Sequence, residues 1–181
     1  MRARLPALPA IPALLLAIGL LAVLPPSPAG AAAGNHRHGT GSLVITFQDP
    51  ALTLDLTLPA VDIVGFEHAP RVDEHYTDIA QASATFRDPA QIVALPAAAG
   101  CEMDRAEAEF VALEQAAGGP HSAFAVLYDL SCANPSRLTG ISFPLFGLFP
   151  SLTRLDVRLV AGGAHRDVTV TPDRPRLDLT R

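Results

Sequence analysis

The chain has 181 residues, of which 13 are basic and 18 acidic, and its formal net charge is −5 at pH 7. A net acidic protein repels the phosphate backbone, so the composition argues against nucleic acid as a partner. The hydrophobic content of 49% is raised by the N-terminal region, yet the rest of the chain still holds enough apolar residues for the core of one domain.

The first 33 residues have the pattern of an export signal. Arg2 and Arg4 give a positive start, an uncharged apolar run covers residues 10–24, and small residues with Ala-x-Ala cleavage sites follow at 29–33. The apolar run is shorter than the roughly 20 residues that a membrane-spanning helix needs. We therefore predict a cleaved signal peptide at 1–33, and a mature protein outside the cytoplasm without a membrane span.

Residues 34–41 form a polar segment that we expect to be flexible and that carries His36 and His38. If cleavage follows Ala33, the new N-terminus reads Gly34-Asn35-His36. Its amine, two amide nitrogens and the third-position imidazole can then form a square-planar site for Cu(II) or Ni(II). His38 can join His36, because alternate residues of an extended chain lie on the same side. The alternative interpretation is a solvated tail without a ligand.

Residues 42–181 are predicted to form a single domain that begins with a β-hairpin. Apolar and polar residues alternate at 43–47 and at 52–58, on either side of a turn at 48–50. An irregular connector at 61–71 follows. Helical spacing of apolar residues predicts a helix at 72–86, and Pro89 at a first helical position predicts a second short helix to residue 95.

The two cysteines frame the next pair of predicted strands. Residues 106–112 and 124–130 alternate between apolar and polar, with a Gly-Gly-Pro turn at 118–120. Closing this hairpin brings Cys101 and Cys132 together at its open end. In an exported protein an even pair of cysteines is most simply a disulfide, and a thiolate metal or redox role is the alternative.

The C-terminal third adds further strands. A short helix is predicted at 145–149, strands at 155–159 and 168–170 flank Gly162-Gly163, and a last strand lies at 177–179. Strands outnumber helices, and the longer helices lie together in the middle of the chain. The pattern predicts an α+β fold: a mostly antiparallel β-sheet with a short helical segment packed on one face, and one disulfide.

The pair Glu67-His68 in the connector is a second candidate metal site. A turn can present both side chains, and imidazole together with carboxylate suits zinc. Two ligands do not make a tight site, so His121, just after the hairpin turn, is a candidate third donor. The alternative is a structural turn in which His68 bonds to the backbone. The common motifs of hydrolases, metalloproteases and nucleotide-binding enzymes are missing from the sequence, so we expect no enzymatic activity.

Several segments, in this order, resemble the ZrgA-like family of exported bacterial proteins. They are the stretch DIVGFEHAP at 62–70, Ala99-Gly100-Cys101, the strand from His121-Ser122 to Cys132, and Leu148-Phe149-Pro150. The resemblance extends from His36 to the end of the last predicted strand. It implies a periplasmic, non-catalytic accessory protein that binds zinc and works with a periplasmic component of a zinc uptake system. The residues that match the family's metal-binding pattern are His36, His38, Glu67, His68 and His121.

The chain departs from the family at two places. Members linked to zinc often carry a long insertion rich in histidine and acids before the first cysteine, whereas residues 88–100 here hold no histidine. Ala123 stands where many members have an acid. Zinc binding is the leading interpretation. The alternatives are a metal-independent exported module that binds a protein, with a structural GFEH turn, and Cu(II) or Ni(II) capture at Gly34-Asn35-His36.

Overall fold

The computed structural model of the chain describes residues 37–113 and 121–179. These residues belong to one unit, Asn35–Arg181. The predicted signal peptide at 1–33, the predicted N-terminal copper or nickel site with His36, and the predicted turn at 118–120 lie outside the described residues. Within the described part, none of the helices has the length and hydropathy that would be needed to cross a membrane.

Eight strands and four helices make up the described part of the fold. The strands are β1 (Thr40–Gln48), β2 (Ala51–Pro59), β3 (Cys101–Leu113), β4 (His121–Cys132), β5 (Gly140–Ser142), β6 (Arg154–Ala161), β7 (Ala164–Val170) and β8 (Arg176–Asp178). The helices are α1 (Ala60–Val64), α2 (Asp73–Phe86), α3 (Pro89–Ile92) and α4 (Leu145–Leu148).

Six strands form one sheet in the order β3-β4-β2-β1-β6-β7, and β5 pairs with β8 in a second, two-stranded sheet. The β1–β6 pair is parallel and the other pairs are antiparallel. The predicted α+β fold with a mostly antiparallel sheet is thus confirmed. The parallel pair and the short strand β5 were not predicted, because both depend on partners that are distant in sequence.

The predicted first hairpin is present, and its first strand begins earlier than the alternation of apolar and polar residues suggested. β1 starts at Thr40, so the end of the segment expected to be flexible already belongs to the sheet, and Gly41 pairs with Leu155. Gly41 is buried, and a Cβ at this position would lie 2.6 Å from the Leu58 side chain. A Cβ at position 41 would therefore force the Leu58 side chain to shift.

The core lies on one face of the six-stranded sheet. Leu52, Leu54, Leu56 and Leu58 of β2 are almost completely buried, while the residues between them face the other, more exposed side. Full burial of a side chain of this size stabilises the fold by roughly 1.5–3 kcal/mol. This alternation is typical of a strand that places one face in the core.

Helix α2 covers part of this face, as the predicted helical segment should. Ala82 and Phe86 are buried on its inner side, and the Phe86 ring packs 5.3 Å from Phe124 of β4 and 5.2 Å from Phe149. Two details of the prediction were wrong. The connector at 61–71 begins with helix α1, and α3 ends at Ile92 because the chain turns extended at Val93 and pairs with β5.

The predicted disulfide is confirmed at the open end of the β3–β4 hairpin. Cys101 and Cys132 are directly opposite each other in the register, their Cα atoms are 3.8 Å apart, and their sulfur atoms are bonded. The disulfide joins the two strands at the open end of the β3–β4 hairpin, and His121 lies at the opposite end of β4.

Candidate functional site

Three of the residues predicted to bind metal meet at one end of the sheet. His38 lies in the turn before β1, Glu67 follows α1, and His121 is the first residue of β4. β2 runs antiparallel to both β1 and β4, so the beginning of β1, the end of β2 and the beginning of β4 lie side by side. The strand order therefore collects residues from three distant parts of the sequence.

Glu67 joins the two histidines through a single oxygen atom. Its Oε2 lies 2.8 Å from His121 Nδ1 and 3.2 Å from His38 Nε2. An ionised carboxylate can only accept hydrogen bonds, so both nitrogen atoms donate. We call these three residues the His-Glu-His cluster. Its side chains are 65%, 33% and 24% exposed for His38, Glu67 and His121, respectively, so the cluster opens to solvent on the His38 side.

The two histidines keep the carboxylate of the cluster charged. The hydrogen bond from His121 is the largest influence on Glu67, and with the bond from His38 and the attraction of both rings it outweighs the effect of desolvation. The pKa of Glu67 is therefore lowered below its ordinary value. At neutral pH the cluster has a negative centre between two imidazoles, which is an environment that attracts a cation.

The short helix α1 and its end determine where Glu67 points. The Gly65 N–H donates to the Val61 carbonyl at 3.1 Å, and Gly65 closes the helix with a φ of 81°, in the left-handed region that favours glycine. Phe66 then packs against Phe110 of β3, with 6.3 Å between the ring centroids. Glu67 follows this anchored ring and reaches the cluster.

His68, the neighbour of Glu67, belongs to a different group of side chains. Its Nδ1–H donates to the Ala69 carbonyl at 2.9 Å, and its ring lies 5.3 Å from Phe66 and 5.1 Å from His75. This is the backbone-bonded arrangement that the structural interpretation of the turn predicted for His68. Because a carbonyl only accepts, the Nδ1 proton leaves the lone pair on Nε2.

His75 has the opposite tautomer, since its Nδ1 accepts a hydrogen bond from the Arg71 N–H at 3.2 Å. Its ring also stacks on Phe66, with 4.2 Å between the centroids. His68 and His75 therefore pack against the Phe66 ring, whereas His38 and His121 both bind the Glu67 carboxylate. His165 lies on the exposed strand β7.

Sequence reasoning missed a second carboxylate, Asp62, at the centre of α1. Asp62 is 8% exposed, and its Oδ2 accepts a hydrogen bond of 2.7 Å from the Gly39 N–H. Burial raises its pKa, and the Gly39 hydrogen bond and the charge of His38 oppose that rise. The available signal was a lone aspartate among the apolar residues 60–64, which a helix turns toward the protein interior.

The donor types of the cluster suit zinc, which binds imidazole nitrogen and carboxylate oxygen. Across the described ranges, however, no group of three His, Cys, Asp or Glu side chains is already arranged around a common metal position. In the cluster, Glu67 Oε2 accepts a hydrogen bond from each of the two rings. A metal would have to replace these two hydrogen bonds.

The chain matches a known protein family. The family model described as "ZrgA family zinc uptake protein" matches residues 35–179, a span that includes the His-Glu-His cluster, Asp62 and the disulfide. No curated protein matches the chain.

Proposed function

The chain belongs to the ZrgA family of zinc uptake proteins, and from this premise we propose that it binds zinc in the periplasm and assists zinc uptake or homeostasis without catalysis. The family supplies the link to zinc. The binding residues, the accessory role and a partner among the periplasmic components of a zinc uptake system are our proposal. The observation that carries it is the contact of Glu67 with both His38 and His121.

The spacing of the cluster supports this assignment. Two ligands at 2.0–2.1 Å from a tetrahedral zinc ion lie about 3.3 Å apart. The nitrogen-to-oxygen distances of 2.8 Å and 3.2 Å in the cluster are close to this value. The ion then replaces the two ring protons as the partner of the carboxylate, and this exchange makes binding sensitive to pH.

The exposure of the cluster suits a cargo that is taken up and passed on. His38 is 65% exposed, so a partner can reach the ion from the solvent side. Three protein ligands leave a fourth position for water or for a donor from that partner. The cavity of about 730 Å³ in the described structure lies elsewhere and is lined by residues such as Ile45, Leu52 and Leu159. A substrate pocket next to the cluster is therefore not part of the proposal.

Export to the periplasm remains a prediction that rests on residues 1–33. The copper or nickel site at Gly34-Asn35-His36 likewise remains a prediction, because it depends on cleavage after Ala33. Mass spectrometry of the exported protein tests both predictions. Gly34 as the first residue is the result expected for such a site, and any other terminus removes it.

Calorimetric titration of residues 34–181 with zinc, after chelator treatment and without an affinity tag, tests the zinc site. We expect one site that is weakened at least tenfold by His121→Ala and by Glu67→Gln. His165→Ala on the exposed strand β7 is the matched control, and we expect it to bind like the wild type.

A second candidate function is a metal-independent module that binds a protein partner. It is favoured by the backbone hydrogen bond of His68 and the packing of its ring, which make the GFEH turn a rigid surface feature. In that case the wild type and the cluster variants would all fail to bind zinc. If His68→Ala abolished zinc binding and His121→Ala did not, the metal site would lie at the turn and not at the cluster.

A further inference from the structure

The turn that carries His38 is fixed at the following residue, Gly39, from two sides. The Gly39 N–H donates to Asp62 Oδ2 at 2.7 Å. The Gly39 carbonyl accepts hydrogen bonds from the backbone N–H groups of Thr153 and Arg154, both at 2.9 Å, and from Thr153 Oγ1 at 3.1 Å. Both polar backbone atoms of Gly39 are therefore bound, one by α1 and the other by the beginning of β6.

The geometry of this turn leaves little freedom at Gly39. Its φ is +76°, and a Cβ would lie 2.8 Å from Thr153 Oγ1. The Thr40 N–H donates to the Arg37 carbonyl at 3.0 Å and closes the turn around His38. The backbone around the exposed His38 is thus held in one conformation by hydrogen bonds, most of which are shielded from solvent.

Asp62 is the member of this arrangement that also belongs to the element leading to Glu67. It lies in α1, which ends at Gly65 two residues before Glu67. A buried carboxylate is costly unless it is hydrogen-bonded, and Asp62 is 8% exposed. Through its bond to Gly39 it attaches the turn of His38 to the helix from which Glu67 emerges.

We propose that Asp62 is a positioning residue of the zinc site, which acts by holding Gly39 so that His38 stays within 3.2 Å of Glu67. This inference rests on the proposed function, since it assigns a role toward the same site. Without the bond to Asp62, the turn gains conformational freedom and His38 must be ordered again each time a metal binds. Outer hydrogen-bond partners of metal ligands typically contribute 10- to 100-fold to metal affinity.

A double-mutant cycle tests whether Asp62 acts through His38. Zinc affinity is measured by chelator competition for the wild type, Asp62→Ala, His38→Ala and the double variant. We expect Asp62→Ala to weaken binding by about 10- to 100-fold in the wild type, and by less than about threefold when His38 is already absent. Wild-type affinity in Asp62→Ala, or an equal loss in both backgrounds, would overturn the proposal.

Conservative variants separate positioning from charge and from folding. Asp62→Asn keeps a side-chain oxygen for the Gly39 N–H, so we expect it to retain more affinity than Asp62→Ala and to give the Co(II) absorption spectrum of the wild type. The spectrum of Asp62→Ala should approach that of His38→Ala. If Asp62→Asn and Asp62→Ala had identical spectra and affinities, the hydrogen bond would not be the cause.

A third variant covers the case in which Asp62→Ala does not fold. Thr153 is exposed, and Thr153→Val removes only its hydroxyl bond to the Gly39 carbonyl. We expect a smaller loss of zinc affinity that disappears in the His38→Ala background, and a loss that persists there would contradict the proposal. Failure of the zinc site itself is recognised separately, because His121→Ala would then bind zinc no differently from the wild type.

Discussion

Lowering the pH from 7.5 to 5.5 should weaken zinc binding steeply, by up to about 100-fold for each pH unit. A ligand imidazole must be neutral, so each histidine ligand binds a proton in competition with the ion. Each ligand histidine therefore contributes at most about tenfold per pH unit. The cluster has two, His38 and His121, which gives the factor of about 100.

Protonation of Glu67 does not add to this loss of zinc affinity. Hydrogen bonds from His121 and then from His38 lower the pKa of Glu67 in the folded protein. Because this pKa is lowered in the folded state, Glu67 is ionised at neutral pH. Its negative charge is lost only when the pH falls through the lowered pKa. That value lies below the ordinary glutamate pKa, and hence outside the interval from 7.5 to 5.5.

Chelator competition at half-unit pH intervals measures this dependence for the wild type and for His121→Ala. Below pH 6, the logarithm of the dissociation constant should rise by about two per pH unit in the wild type and by about one in the variant. Equal slopes in the two proteins would exclude His121 as a ligand, and a flat profile would refute histidine ligation altogether. A slope of about three in the wild type would indicate a third histidine, with His36 and His68 as the candidates.

Two further predictions concern stability and are read from thermal and urea unfolding. Reduction of the Cys101–Cys132 bond, which closes a loop with a sequence separation of 31, should lower the free energy of unfolding by about 3–4 kcal/mol; an unchanged Tm in reductant would contradict this. Tyr128→Phe should cost about 1–2 kcal/mol, or about 2–4 °C in Tm for each kcal/mol, because the buried hydroxyl donates to the Phe86 carbonyl at the end of α2. Tyr76→Phe in helix α2 is the control, since Tyr76 is 59% exposed, and equal effects of the two variants would show that the hydrogen bond is not the cause.

The elements that were predictable from the sequence are those with a local, repeating pattern. The alternation of leucines at 52–58 gave the central strand β2, and the cysteines that flank two alternating segments gave the disulfide. Helix α2 was predicted from the spacing of Val72, Tyr76, Ile79 and Phe86, but of these only Phe86 is buried, and Val72 and Tyr76 are exposed. The alternation in β2 is produced by burial of a single face, which the sequence records directly.

Helix α1 and the parallel pair could not be predicted in the same way. α1 has five residues, which is too short for a periodic pattern, and its end depends on Gly65 in a left-handed conformation. The pairing of Thr40 with Arg154 depends on contacts between segments that are more than 100 residues apart. No local preference encodes such a contact.

The candidate site was predictable as a set of residue types but not as a geometry. Glu67 and His68 are neighbours in the sequence, yet one contacts His38 and His121 while the other bonds to its own loop. The difference arises from the anchored ring of Phe66, which the motif alone does not reveal. Asp62 was missed because its role depends on its proximity to Gly39 across the fold.

The parallel pairing of β1 with β6 affects the order in which the protein can fold. β1 lies in the interior of the sheet, between β2 and β6, although it is the first strand in the described part of the chain. A chain that grows or emerges from its N-terminus must therefore wait until residue 154 and beyond before the side of β1 opposite β2 is covered. Such a topology has a high contact order, which slows folding. Until the C-terminal third pairs with β1, this edge of the β1–β2 hairpin stays uncovered. Incompletely folded chains with an unpaired strand edge are prone to aggregation.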